Sequence, residues 1–148
     1  MYHTVVSGLV ATVVIVAANT GDAACQAPAR GVPCWADTHG IYVAQGRVYD
    51  KVTFRCDPPP RAFRGVVIVQ RKAATGWLGQ PSRPPVEDIP DRDGYRDLYG
   101  GIPCQAGKWR TAWRVSGVDV TDQPFKSGWD SDFGFTRLTV ADCRQGTI

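Results

Sequence analysis

The stretch from Cys104 to Val118 constrains this chain more than any other. Trp109, Thr111, Trp113 and Val115 alternate with Lys108, Arg110, Ala112, Arg114 and Ser116. A period of two places one set on each face of a β-strand, one buried and one wet. Two tryptophans on the inner face are a large apolar payload that only a second packed layer can cover. The chain must therefore supply another sheet.

Other segments show the same period. Gly40–Gln45 reads as a first strand after an irregular lead from Gln26 to Asp37. In Arg47–Cys56, Val48, Val52, Phe54 and Cys56 share a face, and Asp50 interrupts that face, which predicts a place at the rim of the sheet. Asp57-Pro58-Pro59-Pro60 stops the strand, because proline cannot donate to a ladder. Val66-Val67-Ile68-Val69 is β-branched throughout, as in a central strand. Short strands are also expected around Trp77 and at Tyr95–Tyr99, with a last strand over Phe133–Cys143. Pro81, Pro84, Pro85 and Pro90 exclude regular structure from Gly79–Gly94, which reads as a surface loop. No helical periodicity is visible. The expectation is an all-β, Ig-like antiparallel β-sandwich of six to eight short strands, over residues 25–148. The immunoglobulin hallmarks are otherwise poor, since Trp77 follows Cys56 too late and Ile102 stands two before Cys104.

Residues 1–24 read as a signal peptide. Val5–Ala18 is an uncharged, mostly apolar run of 14 residues, where a membrane-spanning helix needs about 20. Cuts are expected after Ala18, Ala23 or Ala24, although no Lys or Arg precedes the run. Contact with a membrane is expected only through this segment, if it stays uncleaved. Lipidation of Cys25 is an alternative, but Asp22 stands where such sites carry an apolar residue. Behind an export signal, Cys34, Cys56, Cys104 and Cys143 read as disulfide partners. The preferred pairing is Cys56–Cys104 with Cys34–Cys143. Cys25 is then the odd one: free, lipidated or a competitor of Cys34.

Chemical motifs are sparse. The net charge is +3, and Arg outnumbers Lys 13 to 4. No basic cluster with a nucleic-acid docking motif stands out along the chain. No cofactor motif is present. Asp91, Asp93 and Asp97 resemble part of a calcium loop, but in the EF-hand frame Ile89 and Gly100 occupy two of the ligand positions. A solvated acidic loop is the simpler account. His39, near Asp37 and Cys34, is the one histidine that a nucleophilic hydrolase could use. A turn histidine is simpler. Trp77 and Trp129 lie in glycine-rich turns and are candidates for an exposed platform, with Arg92 on the proline-rich loop and Tyr95 at the start of the strand after it as further candidates.

The combination Val52-Thr53-Phe54-Arg55-Cys56-Asp57-Pro58-Pro59, Trp77, Cys104-Gln105-Ala106-Gly107-Lys108-Trp109-Arg110, Gly117, Pro124-Phe125 and Asp142-Cys143 resembles small exported proteins of mycobacteria and related actinobacteria, a functionally uncharacterised group. The resemblance implies export and a β fold, and it implies no activity or site. The expected function is a secreted or cell-envelope, non-catalytic binding module for a protein or glycan. The alternatives are a small hydrolase using His39 and a protease-inhibitor-like module presenting the Pro81–Pro90 stretch.

Overall fold

A computed structural model describes residues 31–131 and 135–145. The apolar N-terminal run and Cys25 lie outside the described residues. Two antiparallel sheets form. The first contains β1 (Cys34–Ala44), β2 (Arg47–Cys56) and β5 (Tyr95–Pro103), in the order β1-β2-β5. The second runs β4 (Gly76–Leu78), β3 (Ala62–Ala73), β6 (Gly107–Val118), β7 (Pro124–Lys126). Two short strands, β8 (Asp130–Ser131) and β9 (Thr136–Leu138), also pair with β6.

β1 is longer than the expected Gly40–Gln45 strand. Its register on β2 shifts between Thr38 and Ile41, with Gly40 at φ 101°. That bulge breaks the two-residue period and so hides the first half of the strand in the sequence. Gln45 (φ 51°) and Gly46 (φ 69°) then close the hairpin. Positive φ at both central residues is the two-residue turn that matches strand twist.

The core lies between the sheets. Trp109, Trp113 and Val115 of β6 and Phe63, Val67 and Val69 of β3 face Val48, Val52 and Phe54 of β2 and Tyr99 of β5. The inner face of β6 is as its alternation predicts. Gly65 admits the Phe54 ring, since a Cβ there would stand 2.6 Å from Phe54 Cζ.

Asp50 is fully buried, not at the rim. Its carboxylate accepts from the Thr111 hydroxyl of β6 and from the His39 backbone N–H at 3.2 Å. The bulge in β1 supplies that N–H, so a charge-bearing group is satisfied where the pattern alone excludes it. Burial pushes its carboxyl above the ordinary aspartate range.

The disulfides pair differently from the expectation. Cys34 joins Cys56, and Cys104 joins Cys143. The β1–β2 register places Cys34 directly opposite Cys56, which decides the first pair. The sequence separations are 22 and 39 residues, each worth roughly 3 to 4 kcal/mol in the chain-entropy description. The C-terminal segment also differs. β9 ends at Leu138, and Cys143 sits on a helix, α1 (Val140–Gln145). Thr139 caps it: the Asp142 carboxylate accepts from the Thr139 N–H at 2.6 Å, and Thr139 Oγ1 accepts from the Asp142 N–H at 3.2 Å.

Candidate functional site

The sandwich sorts charge by sheet. The β1-β2-β5 strands carry Asp37, Asp50 and Asp97 beside Arg47, Lys51, Arg55 and Arg96. The strands β3, β4, β6, β7 and β9 contain no Asp or Glu at all. They carry Arg64, Arg71, Lys72, Lys108, Arg110, Arg114, Lys126 and Arg137, against Asp130 of β8 alone. All of these cations except Arg71 take the parity opposite to the buried residues and project outward. Register brings them together: Gln70 lies opposite Arg110, Val66 opposite Arg114, Lys108 opposite Arg137, and Ser116 opposite Lys126.

Aromatic rings lie against the cations of this outer face. The Arg110 guanidinium is 4.3 Å from the Trp77 ring centroid, and Lys72 Nζ is 5.5 Å from it. Arg114 lies 4.7 Å from Trp129, and Lys108 Nζ lies 4.3 Å from Phe135. Arg110 also donates through Nε to Gln70 Oε1 at 2.9 Å. A ring quadrupole holds a cation in place without neutralising it. Among the described residues, Arg64 alone of these cations makes an ion pair, with Glu87 at 3.3 Å. The face therefore keeps its positive field. Alternate residues of a strand stand about 7 Å apart, so β6 presents Lys108, Arg110 and Arg114 in a row, each against an aromatic face. Trp129 and Phe135 are half exposed, and Trp77 is partly covered.

Of the residues singled out in the sequence, Trp77 and Trp129 both lie on this face, against Arg110 and Arg114. Tyr95 and Arg92 belong to the other sheet and its loop. The Tyr95 hydroxyl donates to Asp97 Oδ2 at 3.1 Å, and the Arg92 carbonyl accepts from Arg55 Nη1 at 2.9 Å. Asp91, Asp93 and Asp97 do not converge. Asp91 Oδ1 accepts from the N–H groups of Asp93 and Gly94, each at 2.9 Å. Asp97 pairs with Arg83 at 2.5 Å, and hydrogen bonds from the Leu98 N–H and Arg83 outweigh its partial burial and hold its pKa below the ordinary value. Among the described residues no group of three His, Cys, Asp or Glu side chains is placed to hold a metal.

His39 Nε2 lies 2.9 Å from Thr53 Oγ1, which also accepts from Arg96 Nε at 3.2 Å. Thr53 is buried, Asp50 reaches His39 through its backbone N–H and not its ring, and Cys34 is held in a disulfide. The Pro81–Pro90 stretch is not bracketed by a disulfide. It is pinned by paired backbone hydrogen bonds between Val86 and Gly65, at 2.8 and 2.9 Å.

The basic face went unseen in the sequence because its members run from Arg64 to Arg137. The one signal available was the absence of acid from β3, β4, β6, β7 and β9, with Asp130 of β8 the exception. Among the described residues, no helix is long and apolar enough to cross a membrane. No protein-family model matches the chain, and no curated protein or solved structure is significantly similar to it.

Proposed function

We propose that this chain is a secreted or cell-envelope binding module, non-catalytic, that grips an anionic glycan on the outer face of the β4-β3-β6-β7 sheet. The observation that carries the reading is the row of cations on β3 and β6, backed by Trp77, Trp129 and Phe135, with Asp130 of β8 the one acid on the strands paired around them. Cations there meet carboxylate, sulfate or phosphate groups along a polymer, and the exposed rings supply apolar faces for sugar carbons. The two disulfides favour an oxidising compartment, and the apolar Val5–Ala18 run favours export. The resemblance to exported actinobacterial proteins points the same way. The strand order supports the Ig-like part of the reading. Lettered in chain order, β1-β2-β5 takes the A-B-E positions, β3-β6-β7 takes C-F-G, and β4 extends the second sheet as C′ does in variable-type domains.

The test is calorimetric titration with polygalacturonate, with neutral dextran as control. Lys72→Glu combined with Arg114→Glu is expected to weaken polygalacturonate binding about 100-fold, and raising salt from about 50 to about 200 mM to weaken it at least about 10-fold. Lys51→Glu, a charge reversal of the same type on the other sheet, is expected to leave affinity within about 2-fold. Equal binding of dextran, or equal loss with Lys51→Glu, would sink the reading. Tighter binding of single-stranded DNA than of the glycan at matched charge would replace the glycan with nucleic acid.

A further inference from the structure

Arg71 breaks the outward rule of the basic face. It shares the inner parity of Val67 and Val69, and in register it stands between Leu78 of β4 and Trp109 of β6. Leu78, Arg71 and Trp109 thus form one row of large side chains across the end of the sheet, aimed at the opposite layer. That layer offers no side chains in return at Gly100 and Gly101 of β5. Gly101 is the extra residue of a bulge, since Val48 pairs with Ile102 while Tyr49 pairs with Gly100. Gly100 cannot be enlarged, because a Cβ there would stand 2.3 Å from the Val48 carbonyl oxygen. The result is a cleft of about 510 Å³ at the edge of the sandwich, closed on one side by Gly79–Ser82. Pockets for small organic ligands commonly run from about 300 to about 1,000 Å³.

The chemistry of the lining is uneven. Leu78, Pro81, Ile102, Pro103 and the Trp109 indole make most of the wall apolar. The indole N–H is already used, donating to the Gln105 carbonyl at 2.9 Å. No Asp or Glu lines the cleft, and Arg71 makes no ion pair or side-chain hydrogen bond among the described residues. Ser82 Oγ accepts from the Gly100 N–H at 3.0 Å and keeps its own proton. A half-buried guanidinium beside an apolar hollow, with no counter-ion among the described residues, leaves its donors open to a ligand, and its fork matches a carboxylate in two-point contact.

We propose that this cleft is a second binding site, separate from the basic outer face, for a small monocarboxylate with an aliphatic body. The carboxylate pairs with Arg71 and the aliphatic part lies along Leu78, Ile102 and Trp109. The probe is octanoate, with octan-1-ol as its uncharged counterpart, titrated calorimetrically into the oxidised full chain. Octanoate is expected to bind saturably at one site, about 10-fold more tightly than octan-1-ol, and Arg71→Gln is expected to remove that preference. Arg71→Lys keeps the charge without the fork and is expected to fall between the two. If Arg71→Gln proves unfolded by its melting curve, the comparison of octanoate with octan-1-ol on the unmodified chain decides alone. No saturable octanoate binding, or equal affinity for the two probes, overturns the proposal. The Lys72→Glu, Arg114→Glu chain is expected to bind octanoate unchanged. Loss of binding there would move the carboxylate to the outer face and overturn the cleft assignment, whereas failure of glycan binding leaves the cleft untouched.

Discussion

The two sheets share one interior and present opposite exteriors. On the β1-β2-β5 sheet, most of the arginines are held in polar contacts, while Lys51 stays exposed. Arg55 pairs with Asp37 at 2.7 Å and also donates to the carbonyls of Arg92 and Asp93, while Arg96 and His39 meet at Thr53. On the other sheet Lys72, Lys108, Arg110 and Arg114 lean on rings instead of carboxylates, and among the described residues Arg64 alone pairs with an acid, Glu87. An ion pair cancels its own field, whereas a cation on an aromatic face keeps its charge and loses only mobility. A net charge of +3 therefore understates what one side of this molecule offers. The difference teaches that the distribution of acid among paired strands, more than the total of base, marks the surface suited to an anionic partner.

The comparison breaks most severely where the two sheets are joined. Asp50→Ala would leave the Thr111 hydroxyl and the His39 N–H without a buried acceptor and open a void. It is expected to cost about 3 kcal/mol or more of unfolding free energy in denaturant melts. Asp50→Asn separates charge from shape. The folded pKa of Asp50 is raised, so the unfolded chain gives up the proton first as pH increases. The wild-type chain should therefore lose stability relative to Asp50→Asn as pH climbs from about 4 through that raised value, and the two should run parallel outside the window. A difference that moves the other way would place the Asp50 pKa below its ordinary value.

Trp77→Ala sharpens the contrast from the ring side. Its indole covers Arg110 on the second sheet, so stability should fall by about 1 to 2 kcal/mol and polygalacturonate affinity by about 5- to 10-fold. A stability loss with full affinity would reduce the aromatic array to packing. Arg55→Ala makes the matching change on the first sheet. It removes the pair with Asp37 and the support of the Asp91–Gly94 turn, at an expected cost of about 1 kcal/mol. Glycan affinity should not change, which binding and melting of the same preparation would check together.

Much of this architecture is legible in the chain, and the exceptions have physical causes. The period of β6 gives its buried row, and the prolines after Cys56 and through Gly79–Gly94 give the breaks. The start of β1 is hidden because its bulge shifts the phase between Thr38 and Ile41. The pairing of Cys34 with Cys56 follows from hairpin register, which spacing alone does not supply. The short C-terminal helix did leave a sign, Thr139-Val140-Ala141-Asp142, a capping signature that a strand reading of Phe133–Cys143 overrides. Trp77 and Trp129 are visible as exposed-ring candidates, but their partners Arg110 and Arg114 become neighbours only through sheet pairing and the return of the chain at β8. The separation of Tyr95 and Arg92 from them is likewise a property of strand order.

The most direct test of the central claim is a map of backbone amide shifts while a short polygalacturonate oligomer is titrated into isotope-labelled protein. The perturbed amides should form one patch along Val66–Lys72, Gly76–Leu78 and Lys108–Ser116, with the β1-β2-β5 sheet silent. Perturbations centred on His39, Lys51 and Arg96, or spread evenly over both sheets, would contradict a binding face built on the acid-free strands.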